Sequence, residues 1–273
     1  MTTTLLKHEW LRTRGALGMF FGVVVLVGIL GSLLGVTGWA VLSMLGLLLG
    51  VLAVLAVVPG VQLLLAADYW RSGYGRTGYF TQSIPVRGST IFWAKLLWAV
   101  VVTVVAMVLT LALGWLVWWA VAVNGDFTRP TPEVIGSVVG ALFDAAPVWL
   151  IIAGAVLAPV WVMTASVYYY FSVSVGHESR LASLGVGGPI VVFVVLYVCT
   201  QILSLLAMVV IPFGLGIEGE SVAVVPFNLL EEMSTASGTS EVMPLGFVVM
   251  LLLLAAFCLW RTVRSWNHKV ALR

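Results

Sequence analysis

Long apolar stretches alternate with short polar segments along the chain, and six of the stretches reach the length of about 20 mostly apolar residues that a membrane-spanning helix needs. They cover residues 15–36, 39–67, 95–123, 147–175, 183–211 and 244–260. No Asp, Glu, Lys, Arg or His lies deep within them, and Lys95 and Asp144 fall at span ends, where a charged group can snorkel to the membrane surface. The pattern predicts an all-α integral membrane protein with six transmembrane helices, forming one transmembrane domain over residues 1–273.

The basic residues predict how the spans are oriented. Of the 13 Lys and Arg residues, all except Arg129 lie in or next to the N-terminal segment, the connections after the second and fourth spans, or the C-terminal tail. Because cytoplasmic segments of membrane proteins are enriched in Lys and Arg, these segments and both termini are predicted to be cytoplasmic. The connections 124–146 and 212–243 are then extracellular, and we expect a multi-pass protein of the cell membrane in contact with its lipids.

Composition and motifs argue against several classes of function. Only 9% of the residues are charged and the net charge is +2, which leaves too few cations for a nucleic-acid partner. The segment 73–78, GYGRTG, matches the G-x-G-x-x-G pattern of dinucleotide-binding folds, but it follows a transmembrane span instead of a buried parallel strand. The sequence has no HExxH helix, no G-x-S-x-G elbow and no Walker A loop. We therefore expect no catalytic residue, no metal site and no cofactor on this chain, and we do not expect an enzyme.

The N-terminal segment carries a pattern of its own. Leu6 and Trp10 lie four residues apart, on one face of a helix whose other positions include basic residues. This spacing is typical of an interfacial helix, here predicted over residues 1–14, that leads into the first span. A disordered basic start that only sets the topology is the alternative.

The largest cytoplasmic connection, residues 68–94, mixes aromatic side chains with three arginines. Aromatic residues and arginine are enriched at surfaces that bind protein partners. Anchoring in lipid headgroups is the alternative for the same side chains. Pro85 ends any helix that precedes it, so we expect a short helix, a break and then the third span.

Several motifs of this connection together resemble a known family. TGYF at residues 77–80, SIPVR at 83–87, Ile91 and KLL at 95–97 look like the connection between the second and third spans of type-2 ATP-binding-cassette (ABC) exporter permeases. In that family this connection carries the coupling helix that docks on the ATPase. The opening KHEWLR at residues 7–12 is similar to the start of the family's elbow helix on the inner membrane face.

The resemblance implies the permease subunit of an ATP-driven exporter. Two permease chains, identical or homologous, would assemble with separate ABC ATPase subunits, and ATP and Mg would bind to those partners. Closure of the ATPases would push on the coupling helix between spans two and three. The residues that the resemblance implies in coupling lie in this connection and in a smaller contact after the fourth span: Tyr69, Arg71, Tyr74, Arg76, Thr77, Tyr79, His177, Glu178 and Arg180.

The composition of the spans predicts the kind of cargo. They offer hydroxyl, amide and aromatic side chains but no charges, which suits an amphipathic or hydrophobic cargo, such as a peptide, a lipid-like molecule or a drug. Candidate residues for the cargo path are Tyr168, Tyr169, Tyr170, Tyr197 and Gln201. The alternative function is a non-transporting membrane scaffold or sensor subunit whose connection 68–94 binds a cytoplasmic regulatory partner.

Other patterns concern the outer connections and the packing of the spans. Thr131 is predicted to cap an external amphipathic helix with Pro132 in its first turn. For residues 212–243, the resemblance implies short re-entrant helices, and a plain acidic loop is the alternative. Three glycine pairs have the G-x-x-x-G spacing that lets helices approach closely: Gly18 and Gly22, Gly31 and Gly35, and Gly46 and Gly50.

Overall fold

The computed structural model describes residues 2–75, 78–83, 85–124, 128, 130–178, 181–219, 221–234 and 242–268. Arg76, Thr77 and Arg180, predicted as coupling residues, lie outside the described residues. The helices are α1 (Thr2–Gly35), α2 (Ala40–Gly73), α3 (Gly78–Gln82), α4 (Gly88–Asn124), α5 (Pro132–Ala145), α6 (Val148–Gly176), α7 (Gly187–Val210), α8 (Leu229–Ser234) and α9 (Gly246–His268). The strands are β1 (Phe213–Glu218), β2 (Ser221–Pro226) and β3 (Met243–Pro244).

Six helices in the described part of the chain are long and apolar enough to cross a membrane: α1, α2, α4, α6, α7 and α9. Each coincides with one predicted span, so the prediction of six helices that are long and apolar enough to span a membrane is confirmed. Four of these helices are longer than the predicted apolar stretches, and each is extended at the end that carries basic residues. The helices are α1, α2, α4 and α9, and the basic residues that they contain include Arg12, Arg71, Lys95 and Arg261. Residues 2–14 are the first turns of α1, which runs without interruption to Gly35, so the predicted interfacial segment is continuous with the first span.

The chain divides into two compact units, Met1–Ser137 and Val138–Ala271. In the first unit α1, α2 and α4 pack against one another. Their core includes Val57, Val61 and Ala99, whose side chains are fully buried. In the second unit α6, α7 and α9 form a comparable group, joined by stacking of the Tyr169 and Phe193 rings at 5.2 Å.

Close approach of α1 and α2 depends on two of the three glycine pairs. A Cβ atom at Gly31 would lie 2.6 Å from the backbone nitrogen of Gly50 and 2.7 Å from the carbonyl oxygen of Gly46. Such distances are far inside van der Waals contact, so only glycine permits this helix spacing. Gly18 and Gly22 differ, because a Cβ at either would meet no described atom of this chain within 4 Å, so this pair makes no close helix contact among the described residues.

A small antiparallel sheet occupies part of the last predicted outer connection. Its strand order is β2-β1-β3, with Phe213 opposite Pro226 and Glu218 opposite Ser221. The connection from β1 to β2 begins at Gly219, whose φ of +67° favours glycine. The expectation of re-entrant helices or a plain loop is therefore wrong over residues 213–226, and the all-α class becomes a mostly helical fold with one small sheet.

The external helix that the sequence predicts after Thr131 is present as α5. The Thr131 Oγ1 accepts a hydrogen bond from the Val134 backbone N–H at 3.3 Å, which is the expected capping contact. No side chain of α5 is buried, and Val138, Leu142 and Phe143 are exposed. Such exposed apolar residues are consistent with a helix that lies at a membrane surface.

Candidate functional site

The predicted coupling connection forms a compact turn between α2 and α4. Because α2 continues to Gly73, Tyr69 and Arg71 belong to that helix. The backbone N–H groups of Tyr74 and Gly75 both donate to the Trp70 carbonyl at 2.9 Å and end the helix. The five-residue helix α3 follows at Gly78, and α4 begins at Gly88. The sequence predicts a short helix before Pro85, a break and then the third span, and in that order α3 ends at Gln82 and α4 begins at Gly88.

The predicted coupling residues in this turn differ in exposure. Tyr79 on α3 is 61% exposed, and the neighbouring Phe80 is 68% exposed, with the two rings 5.1 Å apart in an edge-to-face arrangement. Arg71 is also exposed. Tyr69 is only 1% exposed and its ring packs 6.0 Å from that of Tyr74. Tyr69 therefore belongs to the core of the first unit, and its role in coupling stays a prediction.

A buried ion pair lies directly beneath this turn. The Lys95 Nζ donates to Glu9 Oε1 at 2.9 Å and to Ser72 Oγ at 2.8 Å. Lys95 is 2% exposed and Glu9 is 8% exposed. The expectation that Lys95 snorkels to the membrane surface is wrong, because its ammonium group is bonded inside the helix group.

The ion pair extends into a network of side chains from three helices. Arg12 is bonded to Glu9 on α1 and its Nε donates to Asp68 Oδ1 on α2 at 2.9 Å. We call Glu9, Arg12, Asp68, Ser72 and Lys95 the Lys95 cluster. Next to it, the Trp98 indole N–H on α4 donates to Thr13 Oγ1 on α1 at 3.1 Å.

The position of the Lys95 cluster determines what it can do. Ser72 lies one residue before the end of α2, immediately ahead of the turn that leads to α3. Glu9 and Lys95 belong to α1 and α4, so the cluster joins all three long helices of the first unit at the base of the turn. Breaking a buried ion pair leaves an uncompensated charge, which costs about 3–5 kcal/mol. The cluster therefore ties the ends of α1, α2 and α4 to one another.

The smaller predicted contact after α6 is also tied to its own unit. Glu178 accepts a hydrogen bond from Arg261 Nη2 at 2.7 Å and from Ser265 Oγ at 3.0 Å, both on α9. His177 Nδ1 lies 2.9 Å from the Val173 carbonyl oxygen. We call Glu178, Arg261 and Ser265 the Glu178 cluster. Its carboxylate holds α9 at the end of α6, which differs from the surface contact that the sequence predicts.

Sequence reasoning did not find most of these partners. Glu9 and Lys95 are 86 residues apart, and no local spacing connects them. One available signal was the position of Lys95, seven residues after the start of α4 on a helix that is otherwise uncharged. Arg261 and Ser265 show the i, i+4 spacing of one helix face, which was the corresponding signal on α9.

The five predicted cargo-path residues do not share one surface. Tyr170 is buried, and Tyr168 donates from its hydroxyl to the Leu251 carbonyl at 3.1 Å, joining α6 to α9. Tyr169 stacks on α7 through Phe193. Tyr197 and Gln201 lie one turn apart on the exposed side of α7. The tyrosines of α6 thus have packing partners, and the two residues of α7 face outwards.

Comparison of the chain with protein-family models, with curated proteins and with solved structures finds no match. The likeness to ABC exporter permeases therefore rests on the motifs of the chain itself.

Proposed function

We propose that the chain is the transmembrane permease subunit of an ATP-driven ABC exporter, which moves an amphipathic or hydrophobic cargo out of the cytoplasm. A second permease chain completes the membrane part of the complex, and separate ATPase subunits bind ATP and Mg. In this proposal both termini and α3 are cytoplasmic, and the sheet of β1, β2 and β3 is extracellular.

The observation that best supports the proposal is the pair of exposed aromatic side chains on α3. Tyr79 and Phe80 are large, apolar and more than 60% exposed on a five-residue helix between two long ones. Exposed aromatic residues of this kind often become the buried anchors of a protein interface. The exposed Arg71 at the end of α2 adds a cation beside the same turn.

The Lys95 cluster supports a mechanical role for that surface. A partner that pushes on α3 acts on the end of α2, where Ser72 bonds Lys95 of α4. Lys95 in turn bonds Glu9 of α1. Separating a buried ion pair costs about 3–5 kcal/mol. The three helix ends therefore move as one group, as a switch between inward and outward access requires.

Affinity purification tests the proposal. The full chain is solubilised from its native membrane in mild detergent, and proteins that co-purify are identified by mass spectrometry. We expect an ABC ATPase with the wild type and a loss of about tenfold or more with Tyr79→Ala, Phe80→Ala, because an aromatic anchor contributes about 2 kcal/mol or more to an interface. Trp39→Ala is the matched control, since this exposed aromatic residue lies at the opposite end of α2.

Two results would contradict the proposal. One is recovery of no ATPase in several mild detergents, which would favour the scaffold or sensor subunit, above all if a regulatory protein is recovered instead. The other is recovery of the ATPase that is equal for wild type and the α3 variant, which would place the docking surface elsewhere.

A further inference from the structure

An apolar cavity of about 330 Å³ lies in the second unit between α6 and α9, and the sheet closes one end. Its long wall is one face of α6 between Trp149 and Thr164. The space exists because small residues stand on this face at helical spacing, among them Gly154 and Ala158. A Cβ atom at Gly154 would meet nothing within 4 Å.

The chemistry of the wall excludes water as a favourable occupant. None of the described lining residues is charged, and the Thr164 hydroxyl already donates to the Trp161 carbonyl at 2.6 Å. A buried water needs two to four polar partners, and apolar cavities without them stay dry and take up apolar molecules. The cavity therefore selects an apolar occupant.

The shape of the cavity suits a linear chain. Trp149 and Thr164 are fifteen residues apart on α6, which corresponds to a length of about 22 Å. A volume of about 330 Å³ over this length makes the cavity long and narrow, and an extended hydrocarbon chain has this shape.

We infer that this cavity binds one acyl chain of a membrane phospholipid. The helices that form its wall, α6 and α9, are long and apolar enough to span a membrane, and hydrocarbon chains are the apolar molecules present at that depth. Trp149 lies at the first turn of α6 and is more than half exposed, as an indole beside lipid headgroups would be. This inference depends on the second unit alone and does not rest on the proposed ATPase partner.

Photolabelling with a phospholipid tests the inference. The full chain is reconstituted in phosphatidylcholine vesicles that contain a small fraction of phosphatidylcholine with a diazirine group on one acyl chain. After irradiation, peptide mass spectrometry maps the labelled residues. In the wild type we expect about fivefold more label per residue on the lining faces of α6 and α9 than on the exposed face of α7 around Val194, since a ligand in a pocket has about 70–90% of its surface against the wall.

A matched pair of variants makes the test specific. Gly154→Leu fills the cavity and should lower the label on the lining residues of α9, such as Leu251, to the level of the exposed face of α7. Gly114→Leu makes the same exchange on α4, where a Cβ also meets nothing within 4 Å, and should leave that label unchanged. The map of the wild type is decisive even where a variant fails to fold.

Two outcomes would overturn the inference. Label spread evenly over the exposed faces of α6, α7 and α9, and insensitive to Gly154→Leu, would mean ordinary contact with the bilayer only. No label on the lining, together with a disulfide-linked dimer from Ala153→Cys that the wild type does not form, would mean that a second copy of the chain covers the cavity.

Discussion

Lys95 illustrates how a single residue can fix the positions of three helices. Moving an ammonium group out of water costs several kcal/mol, and a carboxylate partner repays this only when the geometry is good and the remaining protons are bonded. Here Glu9 and Ser72 each accept a hydrogen bond from Lys95 Nζ, at 2.9 and 2.8 Å. Apolar residues in place of the pair would give a similar stability. The hydrogen bonds of the pair, however, can form in few other arrangements of α1, α2 and α4.

Removal of the Lys95 ammonium should destabilise the protein strongly. We expect Lys95→Met to lower the free energy of unfolding by about 3 kcal/mol, the low end of the range for a broken buried pair, because Arg12 still partners Glu9. The double variant Glu9→Leu, Lys95→Met removes both charges and should lose less than the sum of the single variants. Unfolding of the purified protein by a denaturing detergent, followed by circular dichroism, measures these differences.

The control for this prediction is Arg71, a cation on α2 next to Ser72. Arg71 is exposed, so Arg71→Met should change the free energy of unfolding by less than about 0.5 kcal/mol. Equal stability of Lys95→Met and the wild type would show that Lys95 is not buried between α1 and α2.

At the scale of elements, the hairpin of α1 and α2 separates two kinds of glycine that look identical in the sequence. Gly31 sits against the backbone of α2 at Gly46 and Gly50, whereas Gly22 has open space beside it. Glycine lowers helix stability by about 1 kcal/mol relative to alanine. Gly31 therefore has a packing reason to be glycine, and Gly22 has none within the described part of the chain.

Alanine substitutions should separate these two glycines. We expect Gly31→Ala to cost about 1–3 kcal/mol, because the added Cβ would lie 2.6 Å from Gly50 N and must push the helices apart. Gly22→Ala should be neutral or stabilising by up to about 1 kcal/mol. Detergent-induced unfolding of both variants provides the comparison, and a loss of stability that is the same for the two would rule out close packing of α1 on α2 at Gly31.

The sequence predicts some of these elements better than others for physical reasons. Runs of about 20 apolar residues have few alternatives to a membrane-spanning helix, and all six were found. The ends of the helices were placed too early or too late, because hydropathy counts Lys95 as a charge exposed to water. It contains no information on Glu9, the distant residue that pairs with Lys95. The hairpin of β1 and β2 was missed because its strands are short, although the turn at Gly219 and the valines of β2 favour it.

At the scale of the molecule, each unit has its own carboxylate cluster among its long helices. The Lys95 cluster joins α1, α2 and α4 in the first unit, and the Glu178 cluster joins α6 to α9 in the second. Glu9 and Glu178 each follow a histidine in the sequence, at His8 and His177. The pairing of Glu9 with Lys95 and that of Glu178 with Arg261 were not predictable, because these partners are 86 and 83 residues apart along the chain.

The orientation of the whole chain provides a test that involves no partner protein. All Lys and Arg residues except Arg129 lie in or next to segments predicted to be cytoplasmic, so α3 should face the cytoplasm and the sheet should face outwards. In a background with Cys199 and Cys258 replaced by alanine, a membrane-impermeant maleimide should label Ser221→Cys at the start of β2 in intact cells, and Ser83→Cys after α3 only once the cells are permeabilised. Both positions are exposed, which makes each the control for the other's reactivity. The reverse pattern would place α3 outside, and no cytoplasmic ATPase could then act on it.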